Sequence, residues 1–138
     1  MFKRKADGFA RAKKYHLCTA CCSFDPKPFK ICPSCGVSGM REFFPSRVEM
    51  LRACELIRLQ VAGKISGLKF HPRFDLMVEG VKICAYEADS QYQENGRTVI
   101  EDVKPHGDFM DKIAAMKIDL FNAINRKHGL SVSIHRRK

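Results

Sequence analysis

Five of the seven cysteines fall within the stretch CTACCSFDPKPFKICPSCG. Cys18 and Cys21 form one CxxC pair, Cys32 and Cys35 form a second, and ten residues separate the two. A CxxC closes into a tight knuckle that turns both thiolates toward one point, and the proline and glycine of CPSCG suit such a turn. Two knuckles at this separation have the spacing of a tetrahedral four-cysteine zinc site. The alternatives are a redox pair or buried thiols. Cys22 is a spare thiol that could stand in for Cys21, and His16 is a weaker candidate ligand. A closed site of four thiolates keeps no position open for a substrate, so zinc here would hold a fold together and perform no chemistry. Cys54 and Cys84 lie in apolar periodic segments and are expected as buried thiols.

A second group of reactive residue types lies in YEADSQYQENGRTVIEDVKPHG. Asn95-Gly96 is the dipeptide best suited to a two-residue hairpin, because both central positions of a type I′ turn need positive φ. With that loop, Glu94 faces Arg97, Tyr92 faces Val99, Asp89 faces Asp102 and Glu87 faces Lys104. Residues opposite one another share a face of the sheet, and two facing aspartates repel. The repulsion is offset by solvent, by a flanking salt bridge such as Glu87 with Lys104, by a raised carboxyl pKa, or by a divalent cation that takes carboxylate oxygens. An odd-length loop would shift the register by one residue and scatter the group.

The elements that must position these residues follow from pattern. FFPSRVEMLRACELIRLQVAG predicts a helix from about Ser46 to Ala62, with Met50, Ala53, Cys54, Ile57 and Val61 as its stripe and Gly63 as its stop. RFDLMVEGVKICAYEADSQY predicts two strands broken at Glu79-Gly80, which extends the hairpin into a three-stranded meander. A second helix is predicted from Asp108 to Gly129 with Phe109, Ile113, Met116, Leu120, Phe121 and Ile124 as its apolar positions, and LSVSI predicts a final strand. The order helix, three strands, helix, strand places the chain in the α+β or α/β class, with helices on a mixed sheet. A basic arm over 1–15, a zinc ribbon over 16–43 and a main domain over 44–138 with a basic tail complete the expected organisation.

The 138 residues carry a formal charge of +10, which makes a polyanion the first expected partner, nucleic acid ahead of membrane. No apolar run approaches the roughly 20 residues of a spanning helix. The N-terminus lacks the apolar core of a signal peptide, so the expected location is cytoplasmic. Hydrophobic content of 45% suffices for a core.

An acid at Ala88-Asp89, followed 13 positions later by Asp102-Val103-Lys104 on the next strand, resembles the PD-(D/E)XK nuclease superfamily, with alanine in place of the proline. More narrowly, SRVE, FDLMV, the AD step, the NG turn, VIEDVK and a late helix carrying Lys117 resemble a small nuclease-like family common in phages and prophages, akin to archaeal Holliday-junction resolvases. The resemblance covers about Phe44 to Ile134 and leaves out the zinc segment. It implies a restriction-endonuclease-like α-β-β-β-α-β core and a metal-dependent endonuclease that hydrolyses DNA. Asp89, Asp102 and the Val103 carbonyl would then bind Mg²⁺ or Mn²⁺, and Lys104 would orient the attacking water. It also assigns Glu49 to catalysis, although Ser46-x-x-Glu49 reads equally as a helix capping box. Branched or junction DNA and a homodimer are what kinship with resolvases implies.

DNA-backbone contacts are expected from Lys3, Arg4, Lys5, Lys13, Lys14, Lys117, Arg136 and Arg137. Glu101 alternates to the face opposite Asp102 and is expected in an ion pair. Asp75 is expected as a solvated strand residue and His106 as an incidental loop histidine. The competing reading is a non-catalytic zinc-ribbon protein that binds nucleic acid on a nuclease-like fold.

Overall fold

The computed structural model describes residues 14–104 and 111–136. They fall into two compact units, up to Cys54 and from Glu55 onward, so the division lies inside the first helix. In the first unit, β1 (Tyr15–Cys18) is the central strand of a small antiparallel sheet. β2 (Phe24–Asp25) pairs with one edge of β1, and β3 (Arg41–Phe44) with the other. Leu17 and Phe44 are fully buried, one on the central strand and one on its neighbour. Helix α1 (Arg47–Val61) follows. Its start matches the capping motif, with the Glu49 N–H donating to the Ser46 hydroxyl at 3.2 Å. Gly63, at φ 73°, ends it.

In the second unit, β4 (Ser66–Phe70), β7 (Ser90–Glu94), β8 (Arg97–Lys104) and β9 (Val132–Arg136) form a four-stranded mixed sheet in that order. β4, β7 and β8 are antiparallel, while β9 lies parallel to β8. Strands β5 (Arg73–Val78) and β6 (Val81–Glu87) form a two-stranded antiparallel ribbon closed at Glu79-Gly80. Helix α2 (Lys112–Asn125), a 3₁₀ turn (Arg126–His128) and a left-handed Gly129 link β8 to β9. No helix among the described residues is long and apolar enough to cross a membrane.

The described residues are thus α+β with two α-helices and a mixed sheet, and the hairpin register is the one the turn dictates: Glu94 opposite Arg97, Tyr92 opposite Val99, and Ser90 opposite Glu101. Asn95 (φ 51°) and Gly96 (φ 73°) both occupy the left-handed region that such a turn requires. Two expectations are corrected. Five strands, rather than three, lie between the helices among the described residues, because β4 precedes the meander and the long second strand breaks at Ala88-Asp89. The break is a bend in one continuous pairing. The His71 N–H donates to the Asp89 carbonyl at 3.0 Å and the Ala88 N–H to the Pro72 carbonyl at 3.0 Å, so the β5–β6 ladder runs on into β4–β7. Finally, the helical stripes hold only in part: Met50, Ala53, Cys54 and Phe121 are buried as predicted, and other positions depart. Val61 is 84% exposed while Leu56 is buried, and on α2 Ile113 and Met116 are exposed while Ile118 and Phe121 are buried. Asp108 and Phe109 lie outside the described residues.

The face that α2 buries has a packing cause. Ile118 and Phe121, three apart and hence on one face, join Leu76, Tyr86, Ala88 and Ile100 in one core cluster. On the other side of the sheet, Leu56 and Ile65 enclose Tyr92, with Val99 packed against them. Strand β8 has an apolar cluster on each face, so Ile100, Glu101, Asp102 and Val103 are buried in succession. The two acidic side chains in that run must therefore find partners inside the protein.

Candidate functional site

The four cysteines of the paired CxxC motifs converge. Their sulfurs all lie within 4.8 Å of one another, with Cys18 to Cys35 and Cys21 to Cys32 each at 3.7 Å. A tetrahedral ion with Zn–S bonds of about 2.3 Å separates its sulfurs by about 3.8 Å, so the cluster is shaped to hold a metal ion such as zinc. The two knuckles repeat the same backbone device. The Cys22 N–H donates to the Cys18 carbonyl at 2.8 Å, and the Gly36 N–H to the Cys32 carbonyl at 2.9 Å. Cys22 (φ 61°) and Gly36 (φ 76°) both take the left-handed conformation. Cys22 therefore occupies the position of the knuckle glycine, outside the sulfur cluster, and Cys21 is the fourth member. Hydrogen bonds from Ser23 and from the Cys35 and Ser34 backbone hold the Cys32 thiol down at about 6, against the opposing effect of burial. His16 is not in the cluster. Its Nδ1 lies 2.6 Å from an Arg41 guanidinium nitrogen, and burial, followed by the Arg41 and Lys14 charges, lowers its pKa.

The carboxylate group forms around the bend at Asp89. Strand β7 stops at Ser90, one residue short of an Asp89–Asp102 pair. The Asp89 N–H still donates to the Glu101 carbonyl at 3.1 Å, and its carboxylate accepts the Val103 N–H at 2.6 Å. A side chain thus continues the ladder where the backbone leaves it. Asp102, 6% exposed, has one oxygen 2.8 Å from the Lys104 ammonium, and its other oxygen accepts the Tyr86 hydroxyl at 2.7 Å. Tyr86 loses its proton far less readily than a free phenol. Burial is the largest cause, and the bond to Asp102 and the charges of Asp102 and Asp89 add to it. Asp89, Val103, Asp102 and Lys104 are therefore linked along one strand end.

The pairing of Glu87 with Lys104 does not form. Glu87 leaves with β6 and lies opposite Arg73, while Lys104 has Asp102 as its ion-pair partner and Arg136 beside it on β9. Glu101 projects to the other face as expected but is buried, and it accepts the Tyr92 hydroxyl at 3.1 Å. Asp75 pairs with Lys82 at 3.2 Å. Glu49, in the first unit, has its Oε2 buried without a hydrogen-bond partner. Lys117 is half-buried on α2 beside Ile83 and Cys84. Lys14 and Arg136 are exposed, while Lys3, Arg4, Lys5, Lys13, His106 and Arg137 lie outside the described residues.

Tyr86 is the member of this group that sequence reasoning missed. The signal was weak but present, since a tyrosine buried among apolar residues needs a partner for its hydroxyl, and Tyr86 lies just before the acidic break. No protein-family model, curated protein or solved structure matches the chain.

Proposed function

We propose that the second unit is a metal-dependent endonuclease that hydrolyses DNA phosphodiester bonds. One observation carries this reading: Asp89, where β7 stops, accepts the Val103 N–H of β8 at 2.6 Å, and Asp102, next to Val103 on β8, pairs with Lys104 at 2.8 Å. The donor set fits a hard divalent cation, which takes one or two carboxylates and fills the rest of its shell with water and phosphate. Asp89 and Asp102 would hold Mg²⁺ or Mn²⁺. The Val103 carbonyl would be a third donor, because the N–H and C=O of a strand residue project to the same edge and the Val103 N–H already meets Asp89. Such an ion lowers the pKa of bound water and polarises a phosphoryl oxygen.

The protein's own groups supply the rest. Lys104, held against Asp102, orients the attacking water and stabilises charge on the phosphate. Water's oxygen bonds to phosphorus as water gives up a proton to solvent, the ester P–O bond breaks, and the leaving oxygen takes up a proton from solvent. Arg136, one strand over from Lys104, grips a neighbouring phosphate, and the basic chain as a whole adds affinity without sequence preference, so binding weakens steeply with salt. The four-cysteine unit contributes zinc-stabilised structure and further backbone grip. Branched DNA and action as a homodimer remain part of this proposal through the resemblance to resolvases.

The test is cleavage of linear, single-stranded and four-way-junction DNA by the full chain, with and without Mg²⁺ or Mn²⁺. Cleavage is expected only with the ion, and Asp89→Ala and Asp102→Ala should abolish it while zinc content and DNA binding persist. The same assay on Glu49→Gln tests its assignment to catalysis. A chain that binds DNA yet cuts none of the substrates overturns the proposal. That outcome supports the second reading, a non-catalytic zinc-ribbon nucleic-acid-binding protein, which is favoured by one fact: both Asp102 oxygens already have protein partners.

A further inference from the structure

Two hydrogen bonds of opposite sense cross-tie the segment Tyr86–Asp89 to Asp102–Val103. Tyr86 donates its hydroxyl to Asp102 at 2.7 Å, and Val103 donates its N–H to Asp89 at 2.6 Å. The second bond places a carboxylate at the strand edge. The first acts on the rotation of another. A carboxylate turns readily about its last torsion, where the rotamer wells are broad, so a single partner does not fix its plane. Asp102 has two, the phenol on Oδ2 and the Lys104 ammonium on Oδ1.

The phenol cannot drift from its partner. Tyr86 is 3% exposed, its ring packs in the cluster with Leu76, Ile100 and Phe121, and the Phe121 ring centroid lies 5.7 Å away. A phenylalanine would fill that apolar space equally well. The hydroxyl is the one feature of this side chain that the core does not need, and its bonded partner is Asp102.

We infer that Tyr86 is a positioning residue of the proposed nuclease centre: it holds Asp102 in one rotation, so that the oxygen facing Lys104 is presented in a constant geometry to a divalent cation. The inference rests on the nuclease reading above. Tyr86 touches neither phosphate nor water in this scheme and acts through Asp102. Partners that orient a ligating side chain in this way are typically worth 10-fold to 100-fold in metal affinity or activity.

The test uses the full zinc-loaded chain and Tyr86→Phe, which keeps the ring and removes the hydroxyl. Mn²⁺ binding is read by electron paramagnetic resonance, and cleavage is read against Mg²⁺ concentration. Wild type should bind Mn²⁺, and Tyr86→Phe should bind it about 10-fold more weakly or worse, with the Mg²⁺ needed for half-maximal cleavage raised in parallel. A purely structural hydroxyl would lower the unfolding temperature and leave both curves in place, which overturns the inference while the nuclease reading stands. A Tyr86→Phe chain that does not fold assigns the hydroxyl to stability and overturns it as well. If wild type binds no Mn²⁺ and cuts no DNA, the nuclease reading fails and takes this inference with it.

Discussion

The Asp89 carboxylate accepts the Val103 N–H at 2.6 Å, just past Ser90–Glu101, the last pair of the β7–β8 ladder. A hydrogen bond to a charged acceptor contributes roughly 1.5–3 kcal/mol, and a buried N–H left without a partner costs a similar amount. Asp89→Ala should therefore destabilise the second unit by about 2 kcal/mol and speed amide exchange at Val103. Asp89→Asn, which keeps an oxygen acceptor, should lose about 1 kcal/mol less. Equal effects of the two substitutions on urea unfolding would show that the bond contributes nothing.

Lys104 and Asp102 are mostly buried, with side chains 20% and 8% exposed. Removing one partner of such a pair strands the other, at a cost of about 3–5 kcal/mol. Asp102→Ala should therefore destabilise more than the double substitution Asp102→Ala/Lys104→Met, although the double change removes more native contacts. Thermal unfolding of wild type, Asp102→Ala, Lys104→Met and the double variant completes the cycle, and additive effects would contradict a coupled pair.

Cys22 takes φ 61° without entering the sulfur cluster. A non-glycine residue in the left-handed region costs roughly 1 kcal/mol, so Cys22→Gly should stabilise the zinc-loaded chain by about 0.5–1 kcal/mol and leave one zinc per chain. Cys21→Ser should lose most of the bound zinc. Elemental analysis after gel filtration reads both, and zinc loss in Cys22→Gly would mean that the spare thiol is a ligand after all.

His16 gives a pH dependence with a definite sign. Its pKa is lowered in the folded chain by burial and by the Arg41 and Lys14 charges, and its Nδ1 accepts from Arg41, which requires the neutral ring. Unfolded histidine titrates near 6.5, so below about that pH the unfolded state binds more protons and stability falls as pH drops. His16→Asn keeps an acceptor in place of Nδ1 and does not titrate. Acid release of zinc is common to both chains, so the expected result is a shallower loss of stability for His16→Asn between pH 6.5 and 5. Parallel curves would rule out the histidine as the cause.

The hairpin register could be read residue by residue from Asn95-Gly96, because a two-residue turn with positive φ leaves one way for period-two strands to align. Helix α1 was likewise legible at its ends, where Ser46 caps and Gly63 stops. The faces of the helices were less so. Ile113, Met116 and Val61 match a helical period as well as Ile118 and Leu56 do, and the difference lies in which side meets the sheet. The Glu87–Lys104 pairing failed for a related reason, since counting outward from the turn assumes an unbroken strand and the chain bends at Asp89 before the count reaches Glu87.

What the sequence determined alone is what short-range geometry dictates: two CxxC knuckles, the turn residues, the strand alternation that puts Asp102 and Lys104 on one side, and a charge suited to polyanions. Tertiary structure decided which thiol of Cys21 and Cys22 joins the cluster, that Asp89 leaves its strand to take the Val103 N–H, and that Tyr86 closes on Asp102 from 16 residues away. The thiol choice follows from how the two knuckles meet, and the other two from how distant segments of the second unit pack against α2 and the sheet. Local propensity carries no record of that packing, because burial, rather than spacing, selects the partner of each buried polar group.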